Sequence, residues 1–163
     1  MSDSTILATL RRMAFFEDIP SEHLEQLTEI SRPVEYPAHA NIFREGDIAG
    51  DVYVVVSGRV SLVICEPKVG CRQLMEVSDG ELIGWSPLVG RHRLSDTART
   101  LTPTKVLAID GEQLVELCRK DPRFGFLLMH RAASVLAQRL TATRLQLLEM
   151  SGFHLPDVQI ESD

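Results

Sequence analysis

The chain has 163 residues, 44% of them hydrophobic and 25% charged, which is enough for one domain with a buried core and no more. Its net charge of −6 argues against a duplex nucleic-acid binder, which carries a basic face. No run of 18 apolar residues is present, so no helical membrane span is expected.

The three cysteines, Cys65, Cys71 and Cys118, are odd in number and form no CxxC pair. They read as free thiols in a reducing compartment, without a disulfide framework or a zinc site. The opening residues MSDSTILATLRRMAFF place arginines where a secretory leader needs its apolar run, so the protein is expected to be cytoplasmic. His23, His39, His130 and His154 have no metal-ligand spacing, and no metal or cofactor is expected.

Two helices open the chain, within residues 1–32. Ile6, Leu7, Leu10 and Met13 recur at helical spacing. Ser21 is placed to cap a second helix with Leu24, Leu27 and Ile30 on one face. Between residues 33 and 110 the segments become short, β-branched and broken by glycine. DVYVVVSGRVSLVIC holds two apolar runs joined at Ser57–Gly58, the pattern of a tight hairpin. RQLMEV, TART and KVLAI read as further strands. Seven or eight short strands at this spacing predict a barrel or jelly roll, a fold that buries one sheet face and hides its edges.

Residues 111–150 return to the helical period. Asp110 and Gln113 form a capping box, and Asp121–Pro122 marks a second start, with proline at the first helical position. The helix that follows is predicted to reach about Met150. Ala133, Leu136, Leu140, Thr143, Leu147 and Met150 step by alternating threes and fours. With Met129 one step before, they form an a/d seam of the kind that pairs two helices, so a homodimer is expected. Phe124, Leu127 and Leu128 are assigned instead to packing on the barrel. Thr143 in such a seam must bond back to a helix carbonyl or face a polar group. Residues 151–163 read as a loosely held tail.

Taken in order, FREGDIAGDVYVVVSGRVSLV, the Gly-Glu-Leu at 80–82 and the long terminal helix resemble the cyclic nucleotide-binding domains of the CRP/FNR sensor group. The resemblance covers roughly residues 10–150. It implies a mainly β fold with flanking helices: a cyclic nucleotide-binding-like β-roll with N-terminal helices and a long C-terminal dimerisation helix. It further implies a phosphate-binding cassette in GELIGWSPLVGRHRLSDTAR. There Gly80 and Leu82, Ile83 and Gly84 would offer backbone N–H groups to a phosphate, and Glu81 would accept from a ribose hydroxyl. Trp85 is a candidate stacking aromatic or a half-buried core or lid residue; by the resemblance Ser95 is a phosphate contact and Thr143 a base contact, with Arg144 its neighbour on the helix.

One position departs from that pattern. The arginine that neutralises the phosphate in the family falls on Leu94 here. Arg93 lies one residue away, where a regular strand would turn it to the opposite face and a bulge would restore it. Asp96 adds a negative charge nearby. Only 13 residues follow Met150, too few for a helix-turn-helix reader, so sequence-specific DNA binding is not expected. No GxSxG, HExxH or Walker loop occurs, and no enzyme is expected. The sequence therefore predicts a dimeric, non-enzymatic sensor module that binds a small anionic ligand, a cyclic nucleotide among the candidates. Its alternative is a protein-interaction dimer whose pocket has lost the nucleotide.

Overall fold

A computed structural model describes residues 1–151 together with 156, 158 and 159. Helix α1 (Asp3–Arg12) and α2 (Ser21–Glu29) flank a 3-10 turn at Ala14–Phe16. Pro20 occupies the position before α2, so Ser21 is its first helical residue and not its cap. Eight strands follow: β1 (Ser31–Tyr36), β2 (Asn41–Phe43), β3 (Asp51–Ser57), β4 (Val60–Glu66), β5 (Gly70–Val77), β6 (Leu82–Ile83), β7 (Thr97–Thr100) and β8 (Thr104–Asp110). Helices α3 (Gly111–Lys120) and α4 (Pro122–Ser151) close the described chain.

The strands form two antiparallel four-stranded sheets, ordered β1-β8-β3-β6 and β2-β7-β4-β5. The expected hairpin at Ser57–Gly58 is not one. β3 lies between β8 and β6 and has no free edge, so the chain crosses to the other sheet to form β4. Gly58 makes that corner at φ 117°, packed so closely that a Cβ would sit 2.5 Å from Thr104 Oγ1. The true hairpin is β4–β5, whose register sets Cys65 opposite Cys71. The two sulfurs are bonded, which corrects the expectation of three free thiols. A separation of six residues carries no motif in sequence, but a short turn folds it onto a cross-strand pair. Cys118 alone is free.

Period-two alternation divides the core into two parts. Val52, Val54, Leu82, Leu107 and Ile109 point outward under the helices, against Leu10, Leu27, Phe124 and Leu128. Val55, Ile83 and Val106 point between the sheets, against Phe43, Val60, Leu62 and Ala98. β6 contributes one residue to each side. Asp110 caps α3, accepting from the Gln113 N–H at 2.9 Å, and Asp121 caps α4, accepting from the N–H groups of Arg123 and Phe124. Arg131 ties the base of α4 to the carbonyls of Ala14, Phe15 and Glu17. Beyond that anchor α4 becomes exposed, and it crosses the second sheet with Gln146 donating to the Leu74 carbonyl at 2.8 Å. The expected tail, 151–163, lies almost wholly outside the described residues.

Candidate functional site

The cassette starts where the chain leaves β5. Gly80 turns it at φ 85°, and its N–H donates to the Val55 carbonyl at 2.7 Å. The Glu81 N–H donates to Ser78 and the Glu81 carbonyl accepts from Val55. These two amides are thus committed to holding the turn. The Glu81 carboxylate accepts from the Ser78 N–H at 2.6 Å. After β6, Gly84 adopts φ 67° with Tyr53 so near that a Cβ would lie 2.9 Å from its ring. Here glycine is required by backbone and space together. Trp85 then leads into a 3-10 turn, Ser86–Val89, closed by Gly90 in the left-handed region.

The following loop decides where the charges go. The Leu94 N–H donates to the Asp47 carbonyl, and its carbonyl accepts from the Gly46 N–H, at 3.0 and 2.9 Å. This pairing turns the Leu94 side chain inward, 5% exposed, against Ile83, Ala98 and Val106. Arg93 points the opposite way and donates to the Gly46 carbonyl at 2.7 Å. No bulge brings it back. Arg91 and His92 line a separate cleft against α3.

Two adjoining cavities lie between the cassette, the β4–β5 hairpin and α4. One, of about 400 Å³, is lined by Gly80, Glu81 and Leu82 with Phe15, Met75 and Arg139. The other, of about 320 Å³, is lined by Trp85, Ser95, Asp96, Leu140 and Thr143, again with Arg139. Neither Arg93 nor Arg144 lines them. Ile83 and Gly84 lie behind the walls, Ile83 fully buried between the sheets. Thr143 donates its hydroxyl back to the Arg139 carbonyl at 2.8 Å, the first of the two states its place in the seam allowed. Leu136, Leu140 and Thr143 share this cavity, so part of the seam faces its own barrel. Leu147 and Met150 stand clear at 51% and 83% exposure. Met129 packs partly into the core, and Ala133 is exposed.

Arg139 was not picked out from the sequence. Its guanidinium is the partition between the two cavities. It donates to the Leu82 carbonyl within the cassette, and among the described residues no carboxylate lies within 4 Å of it. Burial pushes its pKa down, while Glu81 and Asp96 at longer range oppose the shift. Asp96 is pushed above the usual carboxylate range, first by burial and then by Glu45, against the pull of Arg139. The helical period held the signal that would have found Arg139: it stands three residues after Leu136 and four before Thr143, on the face turned to the cassette.

Residues 33–121 match the cyclic nucleotide-binding domain family. The chain belongs to that family. Within it, the resemblance is to the CRP group. The cyclic AMP receptor protein of Thermus thermophilus is 33% identical over 112 residues, 69% of this chain and 50% of that protein. The crystal structure of the Thermus thermophilus catabolite activator protein superposes with a TM-score of 0.68 at 29% identity, covering 84% of this chain and 62% of the other. A cyclic nucleotide-binding domain from Methylobacillus flagellatus shares the fold, with a TM-score of 0.77 at 19% identity over 96% of this chain and 86% of its own. The chain thus spans about half the length of the Thermus receptor. It is a domain of the cyclic nucleotide-binding family with the β-roll expected from the sequence. Among the described residues no helix is long and apolar enough to cross a membrane.

Proposed function

We propose that this domain is a non-enzymatic sensor that binds an anionic nucleotide between its cassette and α4, with Arg139 taking the place of the cassette arginine lost at Leu94. The observation that carries this reading is a part-buried guanidinium with one carbonyl partner and, among the described residues, no carboxylate within 4 Å. A buried cation is costly unless it is paired, and a phosphate offers the bidentate partner that a guanidinium holds best. Glu81 and Trp85 flank Arg139 on opposite sides, where a ribose and a base have room.

Because the cation rides on α4, the ligand would bridge barrel and helix. Binding then biases the helix position, and with it the exposed seam of Leu140, Leu147 and Met150 through which a second copy of the chain would pair. Cyclic AMP and cyclic GMP are the first candidates, since the Thermus relative is a cyclic AMP receptor. Calorimetric titration with both nucleotides tests the reading. Saturable binding by the wild-type chain, weakened about 30-fold or more in Arg139→Ala, is expected from the loss of a charged pair of about 2–5 kcal/mol. A wild-type chain that binds neither, or an Arg139→Ala chain that binds as tightly, overturns it. Leu94 filling the space between the sheets favours a second reading, a protein-interaction dimer without a nucleotide. Silence to both nucleotides in a stable dimer would decide for that.

A further inference from the structure

Asp96 has no part in the anion capture assigned to Arg139, yet it stands on the same cavity wall. It and Arg139 are the charged residues lining that cavity, and the rest of the wall includes Leu62, Met75, Trp85 and Leu136. Arg139 faces Asp96 from α4, and two further charged groups face the pair: Glu45 acts on Asp96 from the turn between β2 and β3, and Glu81 reaches Arg139 from the far side of the partition. The Asp96 carboxylate is therefore half-buried in apolar surroundings with a single cation in view.

An anion seated on Arg139 changes that balance twice. It engages the cation that Asp96 faces, and it sets a second negative charge beside a carboxylate that burial already disfavours. Both changes favour the neutral acid. We propose that Asp96, on the same cavity wall as Arg139 but not paired with it, opposes anion capture there, so that ligand binding takes up one proton at Asp96. The inference rests on the Arg139 anchor and adds to it a determinant of affinity. A phosphate ester then binds weakly at neutral pH and more tightly as pH falls. Linkage sets the slope at about tenfold in affinity per pH unit between the Asp96 pKa of the free protein and that of the complex.

Trp85 lines the same cavity and is the only tryptophan of the chain, so its fluorescence reports on the site without a label. The experiment titrates wild type, Asp96→Asn and Arg139→Ala with cyclic AMP and cyclic GMP from pH 5.5 to 7.5. Calorimetry in two buffers of different ionisation heat counts the protons taken up, and Trp85 fluorescence follows the same titrations. The expected result is wild-type affinity that rises on acidification with uptake of one proton. Asp96→Asn binds at least tenfold tighter at pH 7.5 and loses the pH dependence. A wild-type chain that is silent while Asp96→Asn binds supports the proposal equally. Asp96→Asn binding no tighter than wild type, or wild-type binding without proton uptake, overturns it and leaves the Arg139 anchor standing if Arg139→Ala alone has lost the ligand. Silence of wild type and Asp96→Asn alike overturns the anchor and the role of Asp96 together.

Discussion

Replacing Leu94 by arginine tests whether the cassette position or the α4 position carries the cation. By position in the sequence, Leu94→Arg restores the missing cassette cation and should create a nucleotide site. By the structure it does the opposite. Leu94 is 5% exposed and packs on Ile83, Ala98 and Val106, each fully buried. Its backbone is held by hydrogen bonds to Gly46 and Asp47, so the side chain has no free turn toward the cavities beside α4. The substitution forfeits about 1.5–3 kcal/mol of leucine burial. It also forces a guanidinium among apolar side chains, at several kcal/mol more. The sum, about 5 kcal/mol, rivals the whole stability of a small domain, about 5–15 kcal/mol. Urea unfolding followed by tryptophan fluorescence and circular dichroism is the assay, with nucleotide titration beside it. The expected result is a chain that is largely unfolded or has lost most of its midpoint. A Leu94→Arg protein as stable as wild type, with tighter nucleotide binding, would refute the inward placement of Leu94 and the role given to Arg139.

Other outcomes follow from single features. Leu140→Glu should convert the dimer proposed through α4 to monomer in sedimentation equilibrium, and a dimer that survives it rejects the seam. Gly58→Ala should cost about 2–4 kcal/mol in urea unfolding, because a Cβ there meets Thr104 Oγ1 at 2.5 Å and the Pro103 carbonyl at 2.9 Å, at a φ of +117°; a loss below 1 kcal/mol would mean that the corner relaxes freely. Burial pushes the Cys118 thiol up to about 11. It is therefore neutral at pH 8, and intact mass after iodoacetamide at that pH should show no label before reduction and Cys65 and Cys71 labelled first after it. Since the folded thiol holds its proton longer than the unfolded one, this group's contribution is intact below an unfolded value near 9 and is lost as pH rises toward 11. Rapid labelling of the unreduced chain contradicts the burial.

Much of the molecule is written in signals a few residues long. Asp110 before Gln113 and Asp121 before Pro122 start their helices as the capping pattern says. The turns at Gly46, Gly70 and Gly80 all use positive φ. Alternation along β3 and β8 assigns each side chain to its layer. Such signals are readable because they concern the backbone's own preferences and its near neighbours. Three features were not readable, and each depends on partners far along the chain. Ser57–Gly58 looks like a hairpin until β6 and β8 are seen to occupy both edges of β3. Cys65 and Cys71 become a pair only through the register of β4 on β5. Arg139 becomes part of the cassette only because α4, anchored by Arg131 and Phe124, runs back across it. The order of elements, with its glycines and caps, determined that this chain makes a β-roll with a long terminal helix. Where the part-buried cation Arg139 ends up was decided by packing, because a guanidinium on a long side chain follows the helix that carries it and not the loop whose charge it replaces.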